Sequence, residues 1–468
     1  MFRRLFLGAS SALALALALA SGGCAVGPKV DLPPIVFVHG NGDSAALWQT
    51  TMWRFESNGW PRERLFALQQ PYPLARDVDA KEQAGRSSTA EHIAFLKAEV
   101  DKVLAKTGAS QVVLMGNSRG GYAIRNYIQN GGGDKTVSHA ILGGTPNHGV
   151  WAIPGYLEGS EFSGTGAFLK ALNAPKNAVG DEVTGPVKWL TLRSDNNDLY
   201  SQPDGEWIGA KGKPTNIGYD NPALKGAQNI VLPRVDHRET SFSPAAFEAT
   251  YRFVTGKDPI TLKILPEPSI VLDGMVTGMG VQSSDAASAK NNFSNNLPVP
   301  KARIEVYVVA YDNGLRVGEA VHVKALGDDG RWGPFKASAG VPYEFVIRAP
   351  GYATTHIYRS AFARSSDVVN LKLERIADAD LPAFSIVHLV RPRGYLDPTT
   401  HHMVFDGQSP PPGVPVARVA GIASSKISLS KLENRSINAE FHSDAVEQLM
   451  GRTWPAKENH VVVLEITQ

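Results

Sequence analysis

Gly116-Asn117-Ser118-Arg119-Gly120 follows directly on the apolar run Val112-Val113-Leu114-Met115. The run predicts a buried strand, and the stretch from Tyr122 to Gln129 predicts a helix. A serine at so tight a strand-to-helix turn has a strained backbone and a hydroxyl lifted clear of the sheet. The two glycines suit the turn, because a Cβ at either place would strike the neighbouring strand or helix. Such a serine is placed as a nucleophile.

Residues from about 30 to 257 alternate strand-like and helix-like segments. Ile35-Val36-Phe37-Val38 lies between Pro33-Pro34 and His39-Gly40, and residues 65–68 form a second short apolar run. Ser88 and Glu91 fit a capping box, and Ile93, Leu96, Val100, Val103 and Leu104 recur at helical spacing. Strands are predicted at 140–142, 187–192 and 230–232, with a last helix at 244–254. Continuous apolar strands alternating with helices give an α/β fold, a doubly wound, mostly parallel sheet covered on both faces. The long Gly- and Ala-rich interruption at 147–186 carries Trp151, Tyr156, Phe162, Phe168 and Leu169. It is expected to be a lid.

A serine hydroxyl attacks only when a base removes its proton and an acid holds that base in one tautomer. In doubly wound hydrolases the chain order is Ser, acid, His. His237 follows the predicted strand 230–232, at the sheet edge where catalytic groups gather. The strand 187–192 runs into Arg193-Ser194-Asp195-Asn196-Asn197-Asp198, so Asp198 and Asp195 are both candidates for the acid. Asp236 is disfavoured, because an acid adjacent to the base in sequence rarely reaches its far ring nitrogen. The oxyanion needs two backbone N–H donors. Arg119, just after the nucleophile, and Asn41, in the loop His39-Gly40-Asn41-Gly42, are the expected pair. His39 and His148 are read as loop braces.

His39-Gly40 after a strand, the turn 116–120, the loop Gly143-Gly144-Thr145-Pro146-Asn147-His148-Gly149, and Asp198 followed by His237 together resemble the bacterial lipases of the α/β-hydrolase superfamily. The resemblance covers residues 30 to 257. Asp198-Leu199-Tyr200 and the later Pro203 resemble the acid, apolar residue and proline common there, which places Asp198 ahead of Asp195. Residues 36–59, 237–256 and the β region beyond, including Arg359-Ser360-Ala361-Phe362-Ala363-Arg364-Ser365, look like an archaeal lipase with a C-terminal lipid-binding β domain. In that relative the acid follows the preceding strand. This chain has Gly143-Gly144 there, so that placement does not carry over. The resemblance implies hydrolysis of lipid or other water-insoluble esters, without a cofactor.

After Gly256-Lys257-Asp258-Pro259 the helix signals stop. Ile304, Val306 and Val308 alternate on one strand, Tyr343, Phe345 and Ile347 on another, with turns at Asp312-Asn313-Gly314 and Asp328-Asp329-Gly330. One or two β-sandwich-like domains are expected: 258–375, and a second small one at 376–468. Residues 282–297 read as a flexible loop. Trp332, Phe335, Tyr352, Tyr358 and Phe362 fit either a β core or a lipid-binding groove.

The 468 residues exceed one ordinary domain, and their net charge of +2 gives no basic face for nucleic acid. Arg3-Arg4, the apolar stretch 5–20 and Ser21-Gly22-Gly23-Cys24 read as an export signal over 1–24, leaving 25–257 as the hydrolase domain. A retained membrane anchor is the alternative. Cys24, the one cysteine, resembles a lipoprotein acylation site apart from Ser21. The protein is therefore expected to be exported, as a periplasmic or outer-membrane lipoprotein or a secreted protein. No metal motif is present, and His401-His402, if on a strand, point to opposite faces. Three rival readings remain: a polyester depolymerase, an acyltransferase, and a surface-binding protein with a hydrolase-like core.

Overall fold

The computed structural model describes residues 32–278, 295–416, 419, 421–431 and 434–468. The export signal, Cys24 and most of the loop expected at 282–297 lie outside the described residues. Residues 33–468 form one compact unit.

The first half is a parallel sheet in the order β2-β1-β3-β4-β5-β6. Its strands are β1 (Ile35–Val38), β2 (Leu65–Ala67), β3 (Val112–Asn117), β4 (Val137–Gly143), β5 (Lys188–Ser194) and β6 (Gln228–Leu232). Alternation along β1 feeds two cores. Val36 and Val38 join Leu96 and Val100 of α2 (Thr89–Thr107) and Ile124 of α3 (Arg119–Asn130). Phe37 packs on Trp48, 5.2 Å between rings, on the face held by α1 (Gln49–Ser57) and α5 (Pro244–Thr255). There Phe55 meets Phe247 edge to face at 5.0 Å. The Ser88–Glu91 capping box opens α2, and Gly108 closes it in the left-handed region at φ 68°. The interruption 147–186 holds one short helix, α4 (Ala167–Leu172), whose Leu169 and Leu172 pack on Tyr122.

Beyond Gly256 the described elements are strands and short 3-10 turns. They are β7 (Ile270–Leu272), β8 (Val276–Gly278), β9 (Arg303–Val308), β10 (His322–Ala325), β11 (Phe335–Ala337), β12 (Tyr343–Arg348), β13 (Thr354–Arg359), β14 (Leu371–Leu373), β15 (Ser385–Val390), β16 (His402–Phe405), β17 (Ser424–Leu429), β18 (Ser436–His442), β19 (Val446–Arg452) and β20 (His460–Glu465). Residues 258–375 and 376–468, expected as separate domains, share one sheet in the order β10-β9-β12-β13-β20-β15-β17. The C-terminal β20 inserts parallel between β13 and β15, so a cut at 375 would split a hydrogen-bonded ladder.

That sheet is the middle of three layers. Ile304, Phe345, Ile357 and Val463 on one face pack with Leu272, Val276 and Leu371 of the small pairs β7–β11 and β8–β14. Val387, Leu389, Val462 and Leu464 on the other face meet Met403, Phe441 and Leu449 of β16–β18–β19. Trp332, Phe335, Tyr352, Tyr358 and Phe362 are all buried. The groove reading for these aromatics gives way to the core reading. Trp53 of α1 also enters the first β core and donates its indole N–H to Ser365 O at 2.8 Å.

Candidate active site

β3 delivers Ser118 at φ 52° and ψ −120°, a conformation that costs a non-glycine residue about 1–3 kcal/mol. The flanking glycines are demanded by space. A Cβ on Gly120 would lie 2.3 Å from Val38 O, and one on Gly116 would lie 2.8 Å from Gly120 C. Asn117 locks the elbow to the loop after β6. Its Nδ2 donates to Gly143 O, His237 O and Ser241 Oγ.

The loop after β6 carries His237, and the loop after β5 carries Asp198. Both residues are buried. His237 Nδ1 lies 2.9 Å from each Asp198 carboxylate oxygen. A carboxylate partner puts the proton on Nδ1 and leaves Nε2 a free lone pair. Nε2 has no hydrogen-bond partner among the described residues. Tyr200 stands edge-on to the imidazole at 4.5 Å, and its backbone N–H donates to Asp198 Oδ1 at 2.8 Å. Gly144 leaves room for this ring: a Cβ there would lie 3.3 Å from His237 Nδ1 and 2.6 Å from His237 O. The Gly143-Gly144 pair thus makes space for the His237 ring rather than supplying a carboxylate. Asp195 is turned elsewhere and accepts from Ser194 Oγ, Asn196 N and Arg234 N.

Ser118, His237 and Asn41 line one cavity of about 200 Å³. Trp151 and Phe162 of the interruption give it apolar walls, with Trp207 of the loop after β5. Asn41 is fixed by its side chain, whose Oδ1 accepts from Ala75 N at 2.7 Å. Arg119 occupies the first turn of α3, where backbone N–H groups have no helical acceptor. His39 Nδ1 bonds Gly40 O at 3.0 Å, and its Nε2 accepts from Gln70 N at 3.2 Å. Burial holds its pKa down. His148 Nε2 bonds Glu182 at 2.8 Å, and its Nδ1 bonds Asn221 O. Both histidines brace loops.

Two features had no signal in the sequence. The Arg119 side chain is fully buried and forms a two-pronged pair with Glu161, at 2.7 and 2.9 Å, tying the elbow to the interruption. The second lies far along the chain. The segment after β15 clasps the loops that carry His237 and Asp198. Asp236, next to His237, accepts from Tyr395 N at 2.7 Å and Arg391 Nη1 at 3.3 Å. Arg391 Nη2 also binds Glu239 Oε1 at 2.6 Å. Asp397 accepts from Asn197, the residue before Asp198, at 2.9 Å. Tyr395 itself lines the cavity.

Residues 33–152 match the family model of class 2 lipases. Residues 269–376 match that of the lipase C-terminal domain. The chain is a carboxylic ester hydrolase of the lipase and esterase kind, with a lipase C-terminal domain. Solved structures similar to it include Aspergillus fumigatus lipase B, at 15% identity and TM-score 0.35, over 50% of this chain and 55% of that one. The mature Bacillus licheniformis lipase BlEst2 aligns at 20% identity and TM-score 0.35, over 49% of this chain and 94% of that one. The Bacillus subtilis carboxylesterase CesB aligns at 15% identity and TM-score 0.28, over 49% and 86%. The C-terminal clasp lies beyond both family matches.

Proposed function

We propose that this hydrolase cleaves carboxylic esters of lipids through an acyl-enzyme formed on Ser118. The observation that carries the reading is the buried Asp198–His237 pair sharing a cavity with a strained serine. Ser118 Oγ attacks the acyl carbon while His237 Nε2 takes its proton. Asp198 holds the ring and stabilises the imidazolium. The oxyanion is received by the backbone N–H groups of Asn41 and Arg119, each worth about 3 kcal/mol in comparable sites. His237 then protonates the departing alcohol. Water, deprotonated by the same nitrogen, attacks the acyl carbon; the bond to Ser118 Oγ breaks, the free acid leaves, and the imidazolium returns its proton to Ser118 Oγ. The apolar walls from Trp151, Phe162 and Trp207 favour an acyl chain over a charged group. No step calls for a cofactor. Arg3-Arg4, the apolar stretch 5–20 and Cys24 support export, with lipidation of Cys24 as the route to a membrane.

The test is a substrate panel: p-nitrophenyl esters of rising chain length, an emulsified triglyceride and a polyester film. Turnover of long-chain esters and triglyceride, reduced about 10⁶-fold in Ser118→Ala, is the expected result. Film erosion with poor triglyceride turnover would point to a depolymerase instead. Ester turnover that survives in Ser118→Ala would remove Ser118 from the mechanism.

A further inference from the structure

His402 on β16 and His442 on β18 stand directly opposite each other in an antiparallel pair. Glu440 sits two residues before His442 and so projects from the same side of the sheet. The other side is core: Met403, Phe405, Ala439 and Phe441 are all buried there. The three side chains therefore rise from a backbone that packing holds still. Their rings and carboxylate converge. The two imidazoles lie 4.9 Å apart at 75°, Glu440 Oε1 contacts His442 Nε2, and all three ligand atoms fall within 4.8 Å of one another.

We propose that His402, Glu440 and His442 form a divalent-cation site on the outer face of β16–β18, with Zn²⁺ the ion it fits. Two imidazoles and one carboxylate are a donor set that borderline-soft Zn²⁺ accepts at about 2.0–2.2 Å. Drawing ligand atoms onto one ion from this spacing needs only side-chain rotation. Glu440 and His442 are 31% and 37% exposed, which leaves them that freedom and leaves a coordination position for water. The site also has a neighbour of consequence. His401, one residue earlier, turns the opposite way and places Nε2 3.2 Å from Glu239 Oε1, inside the clasp beside the catalytic loop. An ion bridging β16 and β18 pins the strand on which that clasp ends.

Titration calorimetry with ZnCl₂ on the chelator-treated full chain tests this directly. One saturable site of micromolar strength is expected at pH 7.5. It should weaken about tenfold or more in Glu440→Gln and vanish in the double variant His402→Ala/His442→Ala. Zn²⁺ should raise the melting temperature of the parent and leave that of the double variant unmoved. Ester turnover in the double variant should match the parent, since none of the three residues lines the catalytic cavity. Absence of saturable binding would overturn the proposal. Equal affinity in parent and double variant would do so too, because the ion would then sit elsewhere.

Discussion

At the scale of single residues, the proposed chemistry rests on which of two nearby carboxylates holds His237. Asp198 gives both oxygens to His237 Nδ1 at 2.9 Å, whereas Asp195 spends its oxygens on the turn and on Arg234 N. An amide in place of Asp198 offers His237 an N–H as readily as an oxygen, so the ring loses its enforced tautomer. Asp198→Asn should lower kcat by about 10⁴-fold with the fold intact. Asp195→Asn should leave kcat within a few-fold and cost only part of a turn. Steady-state kinetics on a short-chain p-nitrophenyl ester, with circular dichroism to verify folding, checks both. Equal losses in the two variants would mean that Asp198 is not the orienting acid. The serine and the histidine were legible because strand, turn and helix leave strong local patterns around them. The choice between Asp195 and Asp198 depended on resemblance, since both follow β5 within a few residues.

At the scale of elements, patterning is legible wherever one segment decides its own structure. The capping box at Ser88–Glu91 marked the start of α2, and period-two alternation marked β9 and β12. α1 gave no such signal. Its sequence, Gln49 to Ser57, is buried nearly all round, with Gln49, Thr50, Thr51 and Arg54 sealed against neighbours instead of facing water. The interruption at 147–186 was visible as a gap, but its anchors were not. One is the Arg119–Glu161 pair. The other is His148–Glu182. Burial pulls the His148 imidazolium down, yet its bonds to Glu182 and the Asn221 carbonyl outweigh that and hold it above its ordinary value of 6.5. A base raised on folding stabilises the native state below its unfolded value, and that stabilisation is lost as pH climbs through the raised one. The parent should therefore melt well above His148→Gln at pH 6, with the gap shrinking toward pH 8 or higher. Calorimetric melting of both proteins across that range measures it. A gap independent of pH would show that His148 contributes as a neutral brace.

At the scale of the whole molecule, the parts the sequence hides are those made by distant segments. β20 reaches back to lie between β13 and β15, and no local pattern announces a parallel partner some hundred residues away. The clasp is the functional case. Arg391 binds Asp236 from 155 positions downstream, in a run of Arg, Pro and Gly that reads as an ordinary turn. This arginine is buried, and so are the two carboxylates it neutralises, Asp236 and Glu239. Removing one partner from such a cluster strands its charge, at a cost of about 3–5 kcal/mol. Arg391→Met should accordingly lower stability by about that amount in urea denaturation. Its kinetic signature separates positioning from simple loss of fold. The surviving folded fraction, counted by active-site titration with a serine-directed phosphonate, should show kcat reduced about tenfold or more. KM for a short-chain ester should change little, since Arg391 lies outside the cavity. Destabilisation with per-site kcat unchanged would reduce the clasp to a scaffold contact. The combined result would make residues 376–468 part of the catalytic unit.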